Sequence, residues 1–164
     1  MLFRSAGLRR AVPSPKPRQI IGLRSVRALL EHGTVVVCAG GGGIPVAATG
    51  HGNEKQGVEA VIDKDLASGL LARSLDAEAL VLPTGVEKVA LDFNKPTQRW
   101  VDRMTLADAR RHYAENQFDK GSMGPKVAAL NDFIGGGGKL GLITNAPNLS
   151  RALRGETGTR IMPG

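Results

Sequence analysis

Apolar residues along this chain fall into two patterns. Thr34–Ala39 (TVVVCA), Ala79–Leu82 (ALVL) and Leu140–Thr144 (LGLIT) are short, nearly continuous apolar runs, the pattern of strands buried on both faces. Thr159–Met162 predicts one more strand at the C-terminal end. Elsewhere the apolar residues recur at helical spacing. Val26, Leu29 and Leu30 predict a helix over Ser25–His32, stopped by Gly33. Leu66, Leu70 and Leu71 give an apolar face to a helix opening at Asp63. Thr105–Glu115 predicts another, with Thr105 as N-cap and Asp108 completing a variant of the capping box. Ser122 is expected to cap a further helix, with Pro125 in its first turn and Val127, Leu130 and Ile134 facing inward. Leu149–Leu153 is a short last helix.

The intervening stretches are polar or rich in glycine and proline. Pro13, Pro15 and Pro17 alternate with Ser14 and Lys16 and force an extended, non-helical segment. Residues 47–58 (AATGHGNEKQGV) read as a mobile loop, and Gly135–Gly138 as a flexible helix C-cap rather than a site. Strands alternating with helices predict an α/β sheet covered on both faces. No internal repeat is present.

A chain of 164 residues fits one domain. Aromatic residues are only 4%, so the core is expected to rely on Val, Leu, Ile and Ala. No apolar run approaches the length of about 18 residues that a membrane span requires. Cys38 is the single cysteine, which excludes an intrachain disulfide and agrees with a reducing compartment. Its position inside VVVCAG favours a buried, inert thiol over a reactive one.

The net charge of +7 is unevenly spread. Residues 1–27 carry Arg4, Arg9, Arg10, Lys16, Arg18, Arg24 and Arg27 and no acidic residue, whereas the remainder is balanced. Such an arm suits nucleic acid, and it also mimics an organelle transit peptide. A solvated or partner-facing segment is the plainer account, since the body has no basic stripe interleaved with aromatics.

Three motifs carry candidate chemistry. In residues 35–43 (VVVCAGGGG) the apolar run breaks into Gly40, Gly41, Gly42 and Gly43, which expose backbone N–H groups to an anion without an intervening Cβ. Ile44 and Pro45 follow, so the run matches neither a Walker A loop nor a dinucleotide fingerprint. It reads equally as a cradle for a small anionic acceptor or as a tight turn leaving the sheet. Asp63-Lys64-Asp65 sets a lysine between two carboxylates at a helix start, where its ammonium could neutralise a phosphoryl oxygen. The alternative is an N-capping aspartate with a surface ion pair. Gly121-Ser122-Met123-Gly124-Pro125-Lys126 combines a turn, a helix N-terminus and a lysine one turn in, suited to the charge that develops in phosphoryl transfer. An ordinary capped helix with a solvent-facing lysine is the competing reading. His32, His51 and His112 lack ligand spacing, so no metal site is expected, and no Gly-x-Ser-x-Gly elbow occurs.

Taken in order, the stretches RRAVPSPKP (9–17), CAGGGGIPV (38–46), GVEAVIDKDLA (57–67), FNKPTQRW (93–100), GSMGPKV (121–127) and GTRIMP (158–163) resemble the carbamate kinases of the amino-acid kinase superfamily. That resemblance implies a three-layer αβα sandwich and reversible phosphoryl transfer between ATP–Mg²⁺ and carbamate, giving carbamoyl phosphate and ADP. It implies a cytoplasmic protein of arginine metabolism, a homodimer in the full-length family, with no membrane or nucleic-acid partner. Lys64 and Lys126 would contact the transferring phosphates and Asp65 would orient them. Gly40 to Gly43 would lie towards the acceptor. The segment Thr84 to Val89, with Met123 and Gly124, would border the nucleotide.

The resemblance also implies two departures. Thr84-Gly85-Val86-Glu87-Lys88-Val89-Ala90 lacks the first aspartate of the family's Thr-Asp-Val-Asp and has Ala90 where a tyrosine is usual, which bears on adenine packing. Residues 9–164 correspond only to the C-terminal, nucleotide-side portion. The half bearing a Gly-Gly-Asn loop and much of the acceptor pocket has no counterpart, and residues 1–8 (MLFRSAGL) match nothing in the family. Weak activity, or a non-catalytic relic that binds nucleotide or a partner, is then expected of the chain alone.

Overall fold

The computed structural model describes the backbone of residues 2–4 and 7–9 and the whole of residues 11–164. The basic side chains of Arg4, Arg9 and Arg10 lie outside the described residues. Strands β1 (Leu2–Arg4) and β2 (Gly7–Arg9) pair antiparallel, Leu2 opposite Arg9. The proline segment follows without regular structure, as its missing donors and fixed φ require. It is tied down at two points: the Val61 amide donates to Pro13 O at 2.9 Å, and Lys16 Nζ meets Asp132 at 2.5 Å.

Helix α1 (Leu23–Glu31) begins after Gly22, at φ 81°, and no residue of it is buried. Arg27 holds it to the chain further on, donating to Ser74 O at 2.6 Å and pairing with Asp76 at 3.3 Å. Part of the basic excess of the N-terminal arm is therefore used inside the molecule.

The strand expected at Thr34–Ala39 does not form. Val35 and Val37 are 91% and 95% exposed, because among the described residues no neighbouring strand pairs with this segment. Cys38 is exposed with it, so the expected buried thiol is corrected for the same reason. The loop expected at 47–58 is instead a hairpin of β3 (Val46–Ala48) and β4 (Lys55–Gly57). Its turn is closed by Thr49, whose amide donates to Glu54 O at 3.3 Å and whose hydroxyl donates to the Glu54 carboxylate at 3.1 Å.

The folded body starts at α2 (Lys64–Ser74), where the Asp63 carboxylate accepts from the amides of Asp65 and Leu66 at 2.8 and 3.2 Å. Its buried face differs from the leucine face expected. Asp65, Ala67, Gly69 and Ala72 are buried, while Leu66, Leu70 and Leu71 are half-buried. Small residues are needed there because a Cβ on Gly69 would lie 3.0 Å from Ala129 O of the neighbouring helix. Strands β5 (Ala79–Thr84), β6 (Val89–Leu91), β7 (Arg99–Val101) and β8 (Arg103–Thr105) come next.

Helix α3 (Leu106–Ala114) has both halves of the capping box, and bonds from Thr105 hold the Asp108 carboxyl below its ordinary value. Then follow α4 (Met123–Gly135), β9 (Leu140–Asn145), a 3₁₀ turn at Ala146–Asn148, α5 (Leu149–Leu153) and β10 (Thr159–Met162).

The central sheet runs β5-β9-β10-β8. β5 is parallel to β9 and β10 to β8, while β9 and β10 are antiparallel, so the sheet is mixed. β6 and β7 form a separate antiparallel ribbon. Along β9 the side chains alternate in the way a pleat requires. Gly141 abuts Leu130 of α4, and Ile143 joins the core cluster beneath the helices. Leu142 turns to the opposite face, near Ala152 of α5. The sheet is covered on both faces, the α/β sandwich expected. Among the described residues no helix is long and apolar enough to cross a membrane.

Candidate functional site

Two short connections orient the site. Residues 75–78 join α2 to β5 and residues 136–139 join α4 to the parallel neighbour β9. Both loops meet at Glu78, whose carbonyl accepts from the amides of Lys139 and Leu140 at 3.1 Å. The helices pack back along the strands they precede, so the N-termini of α2 and α4 lie at the carboxyl ends of β5 and β9. Ligands of open α/β sheets bind at that end.

One carboxylate organises this corner. Lys126, in the first turn of α4, donates from Nζ to Asp65 Oδ2 at 2.7 Å, and the side chains are only 7% and 8% exposed. Lys64 Nζ lies 3.8 Å from the same oxygen but is 62% exposed. The sequence alternatives thus divide. Asp63 is an N-cap, as in the plainer reading: its carboxylate is engaged by the α2 amides, and the ion pair of Lys64 is with Asp65. Lys126 is not solvent-facing. Two ammonium groups share the Asp65 carboxylate beside two helix N-termini, and Lys64 keeps unused ammonium donors that face solvent. Such a corner accepts a phosphate-like anion through charge-assisted hydrogen bonds.

The turn before α4 is built differently from the sequence expectation. Ser122 makes no side-chain cap; its hydroxyl donates to Asp119 Oδ2 at 3.1 Å, as does the Gly121 amide at 3.0 Å. The Gly124 amide donates to Asp119 O at 2.7 Å, and a Cβ on Gly124 would lie 2.9 Å from that oxygen. Met123 is half-buried against the core.

The glycine run meets the same corner from the other side. Gly42, at φ 137°, lies so close to the carbonyl of Ile62 that no Cβ could be accommodated, and Ile62 immediately precedes the α2 cap. Its amide closes a turn on Ala39 O at 2.9 Å. Gly40 and Gly43 are at φ 47° and 86°, and Gly41 faces open space. The run is therefore a tight turn that rests, through Gly42, on Ile62 just before the α2 cap.

Thr84, at the carboxyl end of β5, pairs with Asn145 and is half-buried. Val89 is corrected. It is fully enclosed in the core, with its amide donating to Thr159 Oγ1 at 2.8 Å, and presents no surface to a ligand. An open recess of about 450 Å³ on this side is lined by Val86, Glu87 and Lys88, inside the expected Thr84 to Val89 segment, and by Trp100, which sequence reasoning missed. The signal available was Trp100 itself, the single tryptophan, lying in a polar stretch.

An α/β sheet with two lysines at adjacent helix N-termini defines a class of anion-handling α/β proteins. The sequence model of the Amino acid kinase family matches residues 1–145, and the chain belongs to that family. Within it, the chain is carbamate kinase-like. It is 49% identical over 156 residues to the carbamate kinase-like protein YahI of Escherichia coli, covering 95% of this chain and 49% of that protein. It is 45% identical over 157 residues to a carbamate kinase of Thermoplasma volcanium, covering 96% of this chain and 51% of that enzyme. A carbamate kinase from Giardia lamblia bound to AMP-PNP superposes with a TM-score of 0.93 at 35% identity, over 100% of this chain and 51% of that one. The chain spans about half the length of these relatives.

Proposed function

We propose that residues 9–164 supply the nucleotide side of a cytoplasmic carbamate kinase-type phosphotransferase. The reaction is the reversible transfer of a phosphoryl group between ATP–Mg²⁺ and carbamate, in arginine metabolism. The observation that carries this reading is the Asp65 carboxylate holding Lys126 at 2.7 Å and Lys64 at 3.8 Å. A carbamate oxygen attacks the γ-phosphorus, the bond to the β-phosphate oxygen breaks, and ADP leaves with that electron pair. Negative charge spreads over the transferring phosphoryl oxygens as this happens. Lys64 is the mobile ammonium that follows them. Lys126 is fixed in advance by Asp65, so it needs no reorganisation at the moment of transfer. Gly40 to Gly43 form the acceptor-side wall, where backbone amides approach carbamate. Thr84, Met123 and Gly124 border the nucleotide, and Mg²⁺ arrives on its phosphates as part of the substrate. The working form is a homodimer.

A second reading is a non-catalytic nucleotide binder. It is favoured by the segment leading into the acceptor wall, where Val35 and Val37 stand in solvent. Calorimetric titration with AMP-PNP and Mg²⁺ tests the shared part of both readings, and weak binding is expected. Absence of heat at millimolar nucleotide would overturn both. Formation of ATP from ADP and carbamoyl phosphate separates them: turnover supports the kinase, binding without turnover the second reading. Where turnover is measured, including in a chain complemented with the rest of the relatives' length, Lys126→Ala is expected to lower it by ~10²-fold or more.

A further inference from the structure

The ribbon β6–β7 ends in a feature that the phosphate corner does not use. Its register sets Ala90 directly opposite Trp100 and Val89 opposite Val101. Side chains alternate between the two faces of a ribbon, and opposed residues share a face. Val89 and Val101 occupy the face buried in the core. Ala90 and Trp100 share the other; Ala90 is buried there, whereas the indole of Trp100 reaches solvent. Trp100 is 54% exposed and, with Val86, Glu87 and Lys88, lines the recess of about 450 Å³. That volume lies within the range of small-molecule sites.

The recess has the parts a planar, polar-edged ligand needs. The indole supplies a flat apolar wall. Lys88 is held at one edge by Asp102 at 2.6 Å, and Glu87 at another by the Thr157 hydroxyl that donates to it. These ties fix both charged side chains before any ligand arrives. The segment Val86–Lys88 follows β5, so the recess opens beyond the same carboxyl ends of the sheet as Lys64 and Lys126.

We infer that Trp100 is the stacking wall for the purine base of the bound nucleotide, with Glu87 and Lys88 contacting the ribose and base edges. The inference rests on the nucleotide reading above. It assigns base recognition to a residue on β7, apart from the lysines that take the phosphates. Stacking of a base on an aromatic ring is sequence-tolerant and strong enough to dominate nucleoside affinity.

As the single tryptophan, Trp100 is its own reporter. ADP and adenosine are expected to change its fluorescence, whereas inorganic tripolyphosphate leaves it unchanged. By calorimetry, Trp100→Ala is expected to weaken ADP binding by about 10- to 100-fold and tripolyphosphate binding by less than about 2-fold, while Trp100→Phe keeps most of the ADP affinity. Circular dichroism checks that each variant is folded; if Trp100→Ala is not, the fluorescence response and Trp100→Phe still decide. ADP binding with silent fluorescence and unchanged affinity in Trp100→Ala overturns the inference and leaves the nucleotide reading standing. Equal weakening of ADP and tripolyphosphate also overturns it, since that marks a structural role. If the unaltered chain gives no heat with ADP, the nucleotide reading fails and the inference falls with it.

Discussion

Two apolar runs of similar composition end in opposite environments. In β9 (Leu140–Asn145), Leu142 and Ile143 are fully buried between strands and helices. In Thr34–Ala39, Val35 and Val37 are almost fully exposed. The difference lies in the neighbours. β9 has β5 on one side and β10 on the other, and α4 and α5 above and below. The 34–39 segment has no strand beside it among the described residues. Apolar content sets what a segment can bury, and the partner decides whether it does. The glycine run joins the two regions, resting on Ile62 just before the α2 cap while its own approach stands in solvent.

The sharpest test of this contrast is the ion pair beside β9. Asp65→Ala leaves the Lys126 ammonium buried without a counter-charge, so a loss of ~3–5 kcal/mol in urea unfolding is expected. The double variant Asp65→Leu/Lys126→Met removes both charges and is expected to recover most of that loss. A single variant as stable as the unaltered chain would show that the corner is open to water and that the two regions differ less than their burial states.

Gly42 probes the joint. Its φ of 137° and its approach to Ile62 leave no room for a side chain, whereas Gly41 faces open space. Gly42→Ala is expected to cost ~2–3 kcal/mol, or to detach the run from α2, and Gly41→Ala less than ~0.5 kcal/mol. Equal effects at the two positions would mean that the glycine run does not rest on the α2 cap.

The same contrast explains how far the sequence could be read. The elements around β5, β9 and β10 were legible because their periodicity, caps and breakers agree with their surroundings. Thr105 with Asp108, Asp63 as N-cap and the break at Gly135–Gly138 are local signals that tertiary packing left in place. The reading failed where structure depends on a neighbour the pattern does not encode. Leucine periodicity misassigned the face of α2, because the close approach at Gly69 selects small residues. Polar composition hid the β3–β4 hairpin, whose strands are exposed along their length. At the candidate site, the residues alone left Lys64 and Lys126 open between a surface role and a site role, and the family resemblance of the ordered motifs singled out Lys64, Asp65 and Lys126. Their arrangement, one lysine buried against Asp65 and one exposed beside it, needed the distances. Val89 was drawn towards the nucleotide by its place in a motif, although its side chain belongs to the core.

The smallest effect expected is also the most direct check on the exposed region. A buried valine contributes roughly 1.5 kcal/mol or more through the area it removes from water. Val35 and Val37 remove almost none, since they stand in solvent. Val35→Ser and Val37→Ser should therefore shift the unfolding free energy by less than ~0.5 kcal/mol each, within the range of ordinary surface changes. Removing only one carbon at Ile143, by Ile143→Val, should cost ~1 kcal/mol, because the side chain is enclosed on all sides. A loss above 1 kcal/mol at Val35 or Val37 would show that the segment is packed in solution, and the contrast between the two apolar runs would collapse into a single buried sheet.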